Sequence, residues 1–275
     1  MPATQEIERD TLAAPVLEVF ASIQGEGAYV GQPQVFVRLF GCPFRCLWCD
    51  TPGSLTVPDD PRARVERFVV HEKKERTGEA AWASPFQVAT WVAAAEGNAP
   101  RTISVTGGEP LLWPGFVQNL RRYAGSRRIH LETAGGHPEA LEAVLESVDH
   151  VSLDLKLPAD LAPPVLVPAP APMPVPDSPS TWADARSDCL ALLDGRDACA
   201  KLPISGDHPA EAYAPLLEDV AGMAPELPCI LQPITPMGGA TAPSHALLDE
   251  LCDMALELEL HVRVLPQVHR FLKVP

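Results

Sequence analysis

What is missing from this sequence excludes several kinds of protein at once. No run of apolar residues approaches the roughly 18 that a membrane-spanning helix needs, so no span is expected. Residues 1–10 are polar and acidic and lack the basic and apolar regions of a secretory leader. A soluble, cytoplasmic chain is therefore expected. Positive charge is scarce: 21 Lys and Arg stand against 36 Asp and Glu, for a formal net charge of −15. That balance argues against a nucleic-acid partner, because a phosphate backbone demands a cationic footprint. A second close-set cysteine group is also missing, since Cys189, Cys199, Cys229 and Cys252 are scattered singly. Structural zinc sites want four ligands, usually as two near pairs, and disulfide frameworks belong to small secreted chains.

Three cysteines do stand together. Cys42, Cys46 and Cys49 follow a C-x3-C-x2-C spacing, directly after an apolar run at 35–39 that reads as a buried strand. Iron–sulfur clusters are ordinarily held by Cys thiolates. Three thiolates on one tight loop can hold three irons of a four-iron, four-sulfur cube and leave the fourth open to a ligand that is not protein. S-adenosylmethionine, through its amino and carboxylate groups, is such a ligand. A zinc site is the alternative, with His71 as a conceivable fourth donor.

The remaining chain reads as strands and helices in alternation. Strands are expected at 16–20 and 34–39, flanking a Gly-rich turn at 22–27 that could equally be a plain hairpin loop. Residues 1–14 read as a loose tail, and 53–83 as an insertion, a short hairpin or helix. Ser84-Pro85 looks like an N-cap with proline at the first helical position, opening a helix to about 95. Strands at 102–106, 129–133, 151–155, 200–205, 230–233 and 261–265 then alternate with helices at 113–123, 138–147, 209–220 and 244–258. Such alternation argues for parallel strands with crossover helices. The expected fold is α/β, a partial, open TIM-type barrel of about six parallel strands in one domain. Much of the excess in the 31 prolines falls within 159–180, where neither a helix nor a central strand can continue. This reads as an extended excursion or a ligand for a partner domain.

In a parallel barrel the chemistry collects at the carboxyl ends of the strands. Polar or Gly-rich groups stand at those ends here: Thr106-Gly107-Gly108-Glu109-Pro110, then Glu132, then Ser152, Asp154 and Lys156 in alternation, then Gln232. Gly107 and Gly108 would let backbone approach a cofactor, and Glu109 could receive an ammonium group. A surface ion pair is the plainer reading of Glu132 and Lys156.

The three-cysteine spacing resembles the radical S-adenosylmethionine superfamily, and one branch fits closely. The chain resembles the 7-carboxy-7-deazaguanine synthase family in four places. These are Gln24-Gly25-Glu26-Gly27 with Arg38 four residues before Cys42, then Cys49-Asp50-Thr51, then Thr106 to Pro110, and the ending from Val268 to Leu272 with Pro275 last. The resemblance covers most of 16–157 and 199–275 and lapses over 54–83 and 158–190, which read as insertions. It implies a 4Fe-4S cluster on Cys42, Cys46 and Cys49, with Mg2+ at Thr51. It implies cofactor contacts from Trp48, Gly107, Gly108, Glu109, Glu132, Ser152, Lys156 and Gln232. Substrate contacts would come from Ile23, Gln24, Gly25, Glu26, Arg38, Thr106, His269 and the carboxylate of Pro275. Without the resemblance, Thr51 would read as a helix cap and Pro275 as a tail. The implied reaction is a radical ring contraction of 6-carboxytetrahydropterin with loss of ammonia, on the route to queuosine and other deazapurines. No side chain acts as the catalytic group, since the radical belongs to the cofactor. An external electron donor such as flavodoxin or ferredoxin and a homodimer are the implied partners. A radical activator of a glycyl-radical protein and a zinc-binding interaction module are the rival readings.

Overall fold

A computed structural model describes residues 12–59, 67–70, 74–76, 81–170 and 173–275. The tail at 1–11, His71 and parts of the first insertion lie outside the described residues. The chain opens with β1 (Ala14–Ile23), which pairs antiparallel with β2 (Pro33–Leu39). The cysteine loop follows and carries a two-residue strand, β3 (Arg45–Cys46). Within the first insertion, β4 (Arg67–Val70) and β5 (Lys74–Arg76) pair antiparallel, the hairpin of the two alternatives, and β4 lies alongside β1. β6 (Trp82–Ala83) also pairs β1.

From α1 (Pro85–Glu96) onward the alternation is regular. β7 (Thr102–Gly107), α2 (Pro114–Leu120), β8 (Ile129–Thr133), α3 (Pro138–Val144) and β9 (His150–Asp154) follow in turn. After β10 (Leu161–Ala162) come α4 (Pro179–Leu193), β11 (Ala198–Ile204), α5 (Ala214–Met223) and β12 (Cys229–Pro233). α6 (His245–Glu257), β13 (Val262–Val264) and the short α7 (Val268–Leu272) close the chain. Helix starts follow local chemistry. Ser84 and Gln87 form a capping box over Pro85, and Ser178 and Thr181 do the same over Pro179.

Among the described residues, seven strands run parallel in the order β13-β12-β11-β9-β8-β7-β2, with β1 antiparallel beyond β2. The open parallel barrel is as expected, with seven strands where about six were anticipated. Side chains alternate across a strand, and here the two faces differ sharply. Val35, Val37, Leu39, Ile103, Val105, Ile129, Leu131, Leu153 and Leu202 join the helices in one core. The other face carries Gln34 and Arg38, Ser104 and Thr106, His130 and Glu132, Ser152 and Asp154, and Lys201. A one-residue slip of any strand would bury its polar set in the core. The register is therefore strongly specified.

The second insertion departs from expectation in one respect. Its later part is not an excursion: residues 179–193 form α4, with Cys189, Leu190 and Leu193 fully buried. Of the described residues there, 158–170 and 173–178 carry no regular element beyond the two-residue β10 and one turn of 3-10 helix. There Val175 packs against a small cluster of Cys42, Phe44 and Trp182, and His137 stacks on Phe44 with ring centres 5.5 Å apart.

His137 makes the fold acid-sensitive. The residue is 3% exposed, and Nδ1–H donates to the Pro174 carbonyl at 3.1 Å while Nε2 has no partner among the described residues. Burial brings its pKa from 6.5 down to about 4, against the opposing pull of the Pro174 bond. Between those values the unfolded chain binds more protons, so stability present at pH 7 is lost as pH falls. The gap sets an upper bound of about 3 kcal/mol. Melting followed from pH 7 to 4 should show this loss, and His137→Gln should flatten it. An equal slope in the variant would place the sensitivity elsewhere.

Candidate active site

A cleft lies at the carboxyl ends of the parallel strands, and all but two of the residues assigned from the sequence to metal, cofactor or substrate line it. The exceptions are Glu109 and Ser152. The cysteine loop forms one wall, with Cys42, Cys46 and Cys49 all facing the cleft and all free of disulfides. None of the other four cysteines reaches it. Burial pushes the Cys42 and Cys46 thiols up, so the ligating thiolates are favoured only with a cation among them. Three thiols with no fourth beside them suit a cluster whose last iron takes an outside ligand. They suit a four-ligand zinc site poorly.

The loop is seated by backbone. Gly41 N–H donates to Ser54 O at 2.7 Å, and Gly41 O accepts from Glu109 N at 2.7 Å. Gly107 has φ 126°, a conformation open to glycine, and packs on the Leu39 backbone. Glu109, expected to receive the cofactor's ammonium, is fully buried and braces the strand ends instead. Its Oε1 accepts from Leu111 N at 3.0 Å and Thr133 Oγ1 at 2.7 Å, and Oε2 accepts from Ala134 N at 2.9 Å. Three donors already occupy the carboxylate, and it has no face on the cleft. Ser152, expected at the cofactor's ribose and carboxylate end, lies beneath the Gly-rich turn. There it bonds His130 Nε2 at 2.8 Å and Cys199 Sγ at 3.4 Å.

The turn at 24–27 enters the barrel and supplies the opposite wall. Gln24 Nε2 donates to Glu132 Oε1 at 2.9 Å, and Ser104 Oγ donates to the same oxygen at 2.7 Å. Glu26 accepts from Lys201 Nζ at 2.9 Å through Oε2 and from Gln267 Nε2 at 2.8 Å through Oε1. Burial works against its charge, but Lys201 overrides that and brings the pKa to about 2. Ile23 and Gly25 complete this wall, and a Cβ on Gly25 would fall 2.1 Å from the His269 ring. The tail is tied here as well, since Ser22 Oγ donates to Pro275 O at 2.8 Å.

Lys201 was not among the residues picked from the sequence, and Asp154 was read there only as one of the polar groups alternating at its strand end. Register sets them side by side on β11 and β9, with Nζ 2.8 Å from Oδ1. Asp154 Oδ2 then meets Lys156 Nζ at 2.8 Å, and that ammonium stands 5.0 Å from the centre of the Trp48 ring. Glu26, Lys201, Asp154 and Lys156 thus form a row of alternating charge across the floor of the cleft. The signal available in the sequence was one Lys in an otherwise apolar strand. Among the described residues, Trp48 Nε1 and Gln232 Oε1, two buried polar atoms facing this region, have no partner, as suits a site awaiting a polar ligand.

Arg38 also faces the cleft, with Nε donating to Glu18 at 2.6 Å. Thr51 lines the cleft and its hydroxyl lies 3.4 Å from Asp50 Oδ1. Donor atoms of Asp50, Glu26 and His269 fall within 4.8 Å of one another. This oxygen-rich corner fits magnesium, which prefers oxygen ligands and keeps several waters.

The model of the Radical SAM superfamily matches residues 37–168. A 7-carboxy-7-deazaguanine synthase from Geobacter sulfurreducens is 30% identical over 94% of this chain and 97% of its own length. The chain belongs to the 7-carboxy-7-deazaguanine synthase family. Another of this family, from Methanopyrus kandleri, is 32% identical, with 95% of this chain and 94% of that protein aligned. The fold agrees with the crystal structure of QueE from Escherichia coli, at a TM-score of 0.57 and 20% identity over 96% of this chain and 99% of that one. Members of the 7-carboxy-7-deazaguanine synthase family are radical S-adenosylmethionine lyases. The group of cofactors that follows, a 4Fe-4S cluster, S-adenosylmethionine and Mg2+, is the one the cleft fits. A small-molecule substrate and a source of electrons follow with it. No helix among the described residues is long and apolar enough to cross a membrane.

Proposed function

We propose that this chain converts 6-carboxy-5,6,7,8-tetrahydropterin to 7-carboxy-7-deazaguanine with loss of ammonia, a step toward queuosine and related deazapurines. The observation that carries this reading is one shared cleft. Three free cysteines on one side face a carboxylate, a guanidinium and an amide-rich turn on the other. The cluster and S-adenosylmethionine supply radical chemistry when bound, and the protein binds, orients and excludes water.

Arg38 would clamp the substrate carboxylate. Glu18 occupies its Nε and so aims the guanidinium, leaving the terminal nitrogens for a bidentate pair. Glu26, held as a carboxylate, can only accept, and so suits the N–H edge of a pterin. Gln24, His269 and Pro275 would contact the same molecule, with Ile23, Gly25 and Thr106 shaping its walls. Thr51 and the acidic corner beside it would hold magnesium. Trp48, Gly107, Gly108, Glu132, Lys156 and Gln232 remain the candidates for the cofactor side. Glu109 and Ser152 would act by bracing the strand ends and the turn. The whole chain would serve as one domain, working as a homodimer with flavodoxin or ferredoxin as electron donor.

The test is anaerobic reconstitution with iron and sulfide, then incubation with dithionite, S-adenosylmethionine, magnesium and the carboxypterin. The deazaguanine should appear, with a rate that rises on adding magnesium. A protein that holds the cluster and cleaves S-adenosylmethionine but leaves the carboxypterin intact would sink the substrate assignment.

A further inference from the structure

The proline-rich stretch after β9 has no place in the chemistry above, yet its backbone is fastened to the cysteine loop. Leu161 pairs with Cys46 and Ala162 with Arg45 in a two-stranded antiparallel ladder. On either side of that ladder, Leu47 N–H donates to Asp160 O at 2.9 Å and Val165 N–H donates to Pro43 O at 2.9 Å. The Leu161 side chain packs on the cluster of Cys42, Phe44 and Trp182. Val167 lies beside Gly41, where a Cβ would come within 3.2 Å of its Cγ1. Every residue from Pro43 to Leu47 is therefore bonded to, paired with or flanked by this segment.

The segment is itself anchored. Asp160 is 3% exposed, and its Oδ1 accepts from His208 Nε2 at 2.7 Å. Its other oxygen is buried with no partner among the described residues. His208 rides on the loop after β11, edge-on to Tyr213 at 6.4 Å between ring centres. Tyr213 is fully buried, and its hydroxyl is fixed by Ser205 N at 3.0 Å. A continuous set of contacts thus joins the barrel core, through His208 and Asp160, to the amide of Leu47.

We propose that residues 158–170 are a strap that holds the three-cysteine loop in its ligating shape before metal arrives, latched by the Asp160–His208 pair. The physical reason lies in the loop's own poverty of partners. Within the loop from Cys42 to Cys49, one backbone bond, Cys49 N to Cys46 O at 3.3 Å, is joined by Arg45 Nη1 donating to the Cys42 and Phe44 carbonyls at 2.6 and 2.8 Å. That leaves the Leu47 amide and the Pro43 carbonyl to find partners outside it or in water. The strap supplies those partners from outside. Ordering is then met when the chain folds and is not drawn from the free energy of binding iron. Proline suits the task, since it keeps the segment extended and limits the states it can wander into. Asp160 and His208 act as positioning residues and touch neither cofactor nor substrate.

This inference rests on the cysteines being metal ligands, and its first test is made without metal. Amide exchange of the iron-free wild-type protein should show Leu47 and Val165 protected nearly as well as in the loaded protein. Free exchange at both amides until iron is added would overturn the strap. The second test uses the loaded protein. His208→Ala leaves a buried carboxylate unpaired and should speed anaerobic iron loss to a chelator about ten-fold, the scale of one hydrogen bond to a charged group. His208→Gln, which keeps a donor, should recover part of that. Circular dichroism and melting of the iron-free variant separate this effect from global unfolding. Iron loss at the wild-type rate from a folded His208→Ala protein would remove the latch. A wild type that takes up no iron–sulfur cluster would instead refute the reading of the cysteines.

Discussion

Lys201→Met should abolish turnover of the carboxypterin and cost the fold about 3–5 kcal/mol, the usual effect of removing one partner from a buried ion pair. Lys201 is 2% exposed and lies between Glu26 Oε2 at 2.9 Å and Asp154 Oδ1 at 2.8 Å. Methionine fills the same space but leaves two half-buried carboxylates facing each other with no cation between them. One of them must then take a proton or swing away. Asp154 still has Lys156, so the disturbance falls on Glu26, which would keep only its amide donors. The wall that is proposed to read the pterin would then lose its charge and its position. A misplacement near 1 Å can cost about 100-fold in rate. Urea titration would read the stability loss and steady-state kinetics the activity. Lys201→Arg, which keeps the charge, should retain more of both. A Met variant as stable and active as wild type would show that the row of alternating charges is solvated and idle.

Gly108→Ala should leave a folded protein that cannot hold its cluster. A Cβ at this position falls 2.1 Å from Gly41 O and 3.1 Å from Cys42 Cβ. Gly41 O is main chain and is already held by Glu109 N at 2.7 Å, so no side-chain rotation relieves the clash. The loop after β7 and the cysteine loop must move apart, and overpacking of this kind costs about 1–3 kcal/mol. Gly25→Ala is the instructive contrast. There the new Cβ meets His269 Nδ1 at 2.1 Å and also its Cβ at 2.8 Å, so the ring must turn and the closing helix must shift, but the cysteine loop is left in place. Iron and sulfide content after anaerobic reconstitution, set beside circular dichroism, would check the Gly108 variant. A full complement of iron would mean that the two loops tolerate separation.

Parts of this molecule were legible in the sequence because their causes are local. The spacing of Cys42, Cys46 and Cys49 places three thiols on one loop whatever the rest of the chain does. β-Branched runs bounded by turns marked the parallel strands, and Ser84-Pro85 marked a helix start. The same signal at Ser178-Pro179 went unread because the prolines before it dominated the stretch. Yet Trp182, Ala185, Arg186, Cys189, Leu190 and Leu193 recur at helical spacing and are all buried.

The outcome at Glu109 shows where such reading stops. Its motif placed it at a strand end, which is correct, but a carboxylate there can face the cleft or turn under it. Thr133 and Ala134, from the next strand, decided that it turns under. Ser152 is similar: its position on the polar face was readable, while the glycine turn lying over it was not.

From residue order alone came the ligand loop, the parallel barrel and the family, since each rests on spacing along one stretch of chain or on periodicity within it. Tertiary structure alone decided the pairing of Lys201 with Glu26 and Asp154, the bracing by Glu109, and the seating of the proline stretch against Cys46. Each of these joins segments far apart in sequence, and strand register and loop path, which no single segment encodes, bring them within hydrogen-bonding distance.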